Sequence, residues 1–144
     1  MKRHEAIAPL SRDHHGSLLL ARLLMKNAPV YRDMPAHAGE KIKYAQQHFE
    51  QHIKKHFEQE ETMLDLVRDC AVEIDTLGAA IKKEHGELTA LFQSLETATD
   101  PETAMDNLGN ALENHIRREE RILFPLLQQH CSAGMLQDIH NLLH

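Results

Sequence analysis

HIRREERILFP, residues 115–125, reads at first as an ordinary charged helix. Its apolar positions Ile122 and Leu123 extend a stripe formed by Leu108, Ala111 and Leu112 and carried on by Leu126, at the three-to-four-residue spacing of one helical face. His115 falls in that stripe. Glu119 stands four residues later, one turn along the same side. Turning a histidine and a carboxylate toward leucines needs a reason, because burying either group unpaired costs several kcal/mol.

The reason lies in a repeat. HFEQEETMLDLV, residues 56–67, aligns with HIRREERILFPL, residues 115–126. His56 pairs with His115, Glu60 with Glu119, Glu61 with Glu120, Met63 with Ile122 and Leu64 with Leu123, all at one offset. Upstream, LSRDHHGSL, residues 10–18, aligns with IKKEHGEL, residues 81–88: Leu10 with Ile81, Asp13 with Glu84, His14 with His85. Each half of the chain is therefore a helix with one inward histidine followed by a helix with His-x-x-x-Glu. Residues four apart on a helix have Cβ atoms about 6 Å apart, so both can ligate one metal. Alternatively, the carboxylate can bridge to a second metal roughly 3.5–4 Å away. A lone histidine in an apolar stripe is usually a hydrogen-bonded core residue, and a lone His-x-x-x-Glu is usually a surface pair. Two of each, in bundle order with apolar flanks in register, point instead to a metal site inside a helical bundle.

The 144 residues suffice for one domain, 1–144, with a single core. Aromatic residues are only 4% and Trp is absent, so that core is built of Leu, Ala, Ile and Met. A net charge of -6 argues against nucleic acid or an anionic membrane as the main partner. Twelve histidines are present where average usage gives roughly three or four, and they form no tag-like run. Cys70 and Cys131 carry no CxxC spacing, so reduced thiols and a cytoplasmic location are expected. The N-terminal MKRHEAIAPL has no apolar core of a signal peptide, and no apolar run is long enough to span a membrane.

Period-two alternation is missing, so the expected class is all-α. The pattern predicts helices at about Pro9–Asn27, Pro35–Val67, Val72–Glu96 and Pro101–His130, with a short fifth helix at Met135–Leu143. Pro9 and Pro101 suit first-turn positions, and Asp100 is a candidate N-cap. Four long helices with short connections suggest an antiparallel up-down-up-down four-helix bundle with a short C-terminal fifth helix.

At these residues the chain resembles the hemerythrin-like family, also called the HHE cation-binding domain. HIRREERILFP and HFEQEETML are close to the family's helix 4 and helix 2 signatures, and LSRDHH and IKKEHGEL match helices 1 and 3. The resemblance covers nearly the whole chain. It implies a four-helix bundle holding two non-haem iron ions, bridged by carboxylates and an oxo or hydroxo group, with an open position for oxygen or a related small molecule. It implies Glu60 and Glu119 as bridging carboxylates, with His56, His85, His115 and one helix 1 histidine as terminal ligands. The trailing LFP of the motif implies a bend at Pro125, which could equally be a tolerated kink.

The chain also departs from the family's oxygen carriers, which use five histidines and two carboxylates. Their helix 3 carries His-x-x-x-His, whereas here Thr89, a poor iron ligand, stands four residues after His85. Their second carboxylate comes five residues after the helix 4 histidine, which is Glu120 here; the internal repeat favours Glu119. On helix 1, His14 shares a face with Leu10, Leu18, Ala21 and Met25, so the apolar phase favours it over His15. His15 stays open as an outer or seventh ligand. His52, one turn from His56, could reach a metal or hydrogen-bond a ligand, while His48 is too far. His4, His37, His130, His140 and His144 read as surface residues.

Three functions fit. The first is a di-iron protein that binds a small diatomic ligand (oxygen or nitric oxide) or peroxide, for sensing, storage or detoxification. The second is a di-iron redox enzyme, peroxidase- or nitric-oxide-reductase-like. The ferritin-like Glu-x-x-His is absent, because Ile53, Lys82 and Leu112 stand three residues before His56, His85 and His115. The third is a zinc-stabilised helical interaction module. The sequence names no protein partner.

Overall fold

The computed structural model describes residues 2–144, all-helical with no strand among them. Helix α1 is Ala8–Leu24, with Pro9 in the first turn, where a missing N–H leaves no bond unmade. It ends earlier than expected because Met25 turns extended and Asn27 adopts φ 64. Helix α2 spans residues 38–66 as Ala38–His48, a π-helical turn Phe49–Ile53 and Lys54–Leu66. Helix α3, Val72–Ser94, closes in a 3₁₀ turn Leu95–Thr97. Helix α4 spans residues 101–130 as Pro101–Arg118, a second π-helical turn Glu119–Leu123 and Phe124–His130. The Asp100 carboxylate caps it by accepting from Thr103 N at 3.2 Å. Helix α5, Ala133–Leu143, starts from Ser132, whose hydroxyl accepts from Met135 N.

The core has two apolar clusters. Leu20, Leu23, Phe49, Phe92, Leu108 and Leu112 belong to one. Ile7, Leu10, Met63, Ile81, Leu123 and Phe124 belong to the other, which α5 closes with Ile139. Along every long helix the candidate ligands fall between the two: His14 between Leu10 and Leu20, His85 between Ile81 and Leu88, Glu119 between Ile116 and Leu123. A polar layer is thus sandwiched between two dry ones.

Pro125 stands two residues after the second π turn. Within that turn Phe124 N donates to Glu119 O, five residues back. The same register would pair residue 125 with Glu120 O, but proline has no N–H. Arg3 Nη2 donates to Glu120 O instead, at 2.9 Å. The N-terminal segment thus supplies the hydrogen bond that the proline removes.

Helices α1 and α4 approach closely at Gly109. A Cβ there would stand 2.5 Å from Ala21 O and 3.2 Å from Met25 Cγ. Backbone cannot yield as a side chain can, so Gly109→Ala must push the two helices apart. It should destabilise the protein by about 1–3 kcal/mol in chemical denaturation at fixed metal content. An unchanged denaturation midpoint would contradict this close crossing.

Candidate metal centre

Six side chains from four helices meet in the polar layer: His14 from α1, His56 and Glu60 from α2, His85 from α3, and His115 and Glu119 from α4. All six are buried, and both glutamates are fully so. They form two overlapping groups. His14, His56, Glu60 and Glu119 each bring one potential ligand atom within 4.8 Å of the others, and so do Glu60, His85, His115 and Glu119. Glu60 and Glu119 belong to both groups.

The imidazoles turn Nε2 inward. His14 Nε2 lies 3.0 Å from Glu119 Oε1, and His56 Nε2 2.9 Å from Glu60 Oε1. His85 Nε2 lies 3.4 Å from Glu60 Oε1, and His115 Nε2 3.3 Å from Glu119 Oε1. Of these contacts only His14 Nε2–Glu119 Oε1 has hydrogen-bond geometry. His56 Nε2, His85 Nε2, His115 Nε2, both oxygens of Glu60 and Glu119 Oε2 have no hydrogen-bond partner although all are buried. Native interiors hold few such atoms, and an ion that several lone pairs can share accounts for them together. Imidazole nitrogen with carboxylate oxygen is a donor set that suits divalent first-row metals.

Electrostatics points the same way. Burial pushes Glu119 well above the usual carboxylate range, and the neighbouring charge of Glu60 adds to it. Burial opposes ionisation of Glu60 too, but the His56 cation beside it holds its carboxyl well below that range. For His56, burial favours the neutral ring, yet Glu60 and Asp13 outweigh it and raise its pKa to about 9. Burial lowers His115. Without an ion the layer therefore draws His56 toward its cation and Glu119 toward its neutral acid.

The remaining candidates lie elsewhere. His15 and His52 are exposed, outside both groups. The Thr89 hydroxyl donates to His85 O at 2.7 Å, back into its own helix. Glu120 is not in the layer; its carboxylate stands 3.3 Å from His14 Nδ1 on the outer side. Four carboxylates lie against the outer nitrogens of the histidines: Asp13, Glu61 and Glu84, which the sequence left without a role, and Glu120, weighed there as an alternative ligand to Glu119. Their signal was present in the repeat, where Asp13 aligns with Glu84 and Glu61 with Glu120.

Residues 4–127 match the family model of the hemerythrin HHE cation binding domain. No curated protein and no solved structure matches the chain.

The raised His56 pKa sets a pH dependence for the metal-free chain. The folded value, about 9, lies above the ordinary 6.5, so folding tightens proton binding. That contribution is full below about 6.5 and is lost as pH rises through about 9. Thermal unfolding in chelator should show a midpoint that falls over this window, with a smaller fall in His56→Gln. An equal fall in both proteins would contradict the assignment.

Proposed function

The chain belongs to the hemerythrin HHE cation-binding domain family, and we propose that its polar layer holds two non-haem iron ions that bind or react with a small ligand such as oxygen, nitric oxide or peroxide. In this reading residues 1–144 are one domain, and α1–α4 run up-down-up-down. His14 and His56 hold one ion and His85 and His115 the other. Glu60 and Glu119 bridge them, alongside an oxo or hydroxo group. The observation that carries it is the sharing of two buried carboxylates between two four-ligand groups. A single structural zinc would need only one such group.

When bound, the iron pair supplies redox-active Lewis acidity and an open coordination position for the small ligand. The chain's own residues do the rest. Glu119, drawn toward its neutral acid without an ion, would have to shed a proton, and Glu60 and Glu119 would then offer their carboxylate oxygens to the ions. Phe57 stacks on His85 with ring centroids 3.9 Å apart, and Phe124 stacks on His14 at 5.6 Å, so both imidazoles are held in plane by apolar faces. Those faces and the two apolar clusters keep bulk water away from the layer. Access is lateral: one surface cavity of about 570 Å³ reaches His56, and another of about 470 Å³ reaches Phe57 and His85. A third, of about 160 Å³, reaches His115, and a site served by several cavities suits exchange of small molecules better than a closed structural role does.

Metal analysis of single variants tests the assignment. His14→Ala and His56→Ala should lose the same ion, and His85→Ala and His115→Ala the other, each leaving about one iron per chain in place of two. Glu60→Ala or Glu119→Ala should cost both. If His56→Ala and Glu119→Ala left the iron content unchanged, the ligand assignment would be wrong.

A further inference from the structure

The four histidines of the layer each show a second nitrogen to the outside of the bundle, and each meets a carboxylate there. His56 Nδ1 lies 3.0 Å from Asp13 Oδ2, and His85 Nδ1 lies 2.8 Å from Glu61 Oε2. His115 Nδ1 lies 2.8 Å from Glu84 Oε1; His14 Nδ1 stands 3.3 Å from Glu120 Oε2, the loosest of the four contacts and the one that is not a hydrogen bond. These contacts run one way round the molecule. Asp13 on α1 reaches the histidine of α2, Glu61 on α2 that of α3, Glu84 on α3 that of α4, and Glu120 on α4 that of α1. The circuit closes.

Sequence position explains it. Each outer carboxylate is the chain neighbour of an inward residue: Asp13 beside His14, Glu61 beside Glu60, Glu84 beside His85, Glu120 beside Glu119. One residue is about 100° of helix, so each carboxylate stands at the helix edge, facing the adjacent helix rather than the centre.

We propose that Asp13, Glu61, Glu84 and Glu120 form a closed ring of positioning carboxylates, each fixing the Nδ1 side of one histidine so that Nε2 is offered to the metal pair. The inference rests on the metal reading above and adds a second circle of residues to it. A carboxylate on Nδ1–H fixes the tautomer, aims the ring and raises the basicity of the ligating nitrogen. The ring is not uniform. Glu84 is clamped by Arg118, and Glu120 accepts from the Ser11 hydroxyl at 2.7 and 3.0 Å with Arg3 nearby at 3.8 Å. Asp13 and Glu61 are about half exposed, at 51% and 42%, and each stands by a cavity. Both open members serve histidines that touch Glu60, and both clamped members serve histidines that touch Glu119. The ring therefore has a held half and a solvent-linked half.

The test is anaerobic Fe(II) titration of the full chain against a competing chelator, with cobalt(II) absorption as a spectroscopic readout. Asp13→Ala, Glu61→Ala, Glu84→Ala and Glu120→Ala should each weaken metal binding by about tenfold or more. Asn or Gln at the same positions should restore most of it, because the amide oxygen still accepts from Nδ1–H. The cobalt bands should shift in the alanine variants and return in the amides. Glu113→Ala is the control. Glu113 pairs with Arg22 and Arg117 away from the layer, so its loss should leave metal affinity alone. Circular dichroism of each metal-free variant separates loss of fold from loss of affinity. Alanine variants that stay folded and bind within about twofold of the parent would overturn the ring. So would amides as weak as the alanines, since charge rather than aim would then be at work. A parent that takes up no ion overturns the ring and the metal reading together; a parent that binds two ions with unaffected variants overturns the ring alone.

Discussion

Two fully buried glutamates side by side are the constraint on which this structure turns. Glu60 and Glu119 sit between two apolar clusters, where an unpaired carboxylate costs several kcal/mol. One has to be neutralised and the other compensated. In the metal-free chain Glu119 is drawn toward its neutral acid and His56 toward its cation, yet seven buried side-chain atoms of the layer lack hydrogen bonds, six of them facing its centre. Positive ions would engage those six together. The four histidines, the helices that carry them and the apolar layers above and below follow from this one requirement. An apolar layer in place of the six residues would serve stability alone better, so the layer is there for its chemistry.

The four long helices were legible because each carries a sustained apolar stripe, with Asp100–Pro101 marking one start clearly. The inward residues were legible for a different reason. A histidine in a stripe says little once, but the second copy of the pattern fixed phase and partner at the same time. Phase also put His14 rather than His15 inward, and His14 is the buried one of the two. The two π turns were not legible. They shift the hydrogen-bond register by one residue, and nothing in FEQHI or EERIL marks that shift. The second begins at Glu119 itself, as such turns often do at functional positions. The outer carboxylates were hidden in plain view. Asp13, Glu61, Glu84 and Glu120 look like solvated charges, because periodicity places a residue on a helix edge but cannot say which neighbouring helix it will meet.

The asymmetry of the outer ring gives the site a direction. On the Glu119 side, Arg118, Ser11 and Arg3 hold the supporting carboxylates in place. Arg3 also covers the ring of Phe124, which in turn stacks on His14, so the N-terminal segment braces that half from outside. Nothing comparable holds Asp13 or Glu61, and the cavities open beside them. The two larger cavities lie on the Glu60 side, and only a smaller one of about 160 Å³ reaches Glu84 and His115.

The central claim is that two ions share Glu60 and Glu119. An anomalous-difference map at the iron edge, from crystals of protein grown with iron, tests it most directly. Two peaks are expected, roughly 3.5–4 Å apart, one beside His14 and His56 and the other beside His85 and His115, with both glutamates between them. A single peak, or ions bound away from the buried glutamates, would contradict the account.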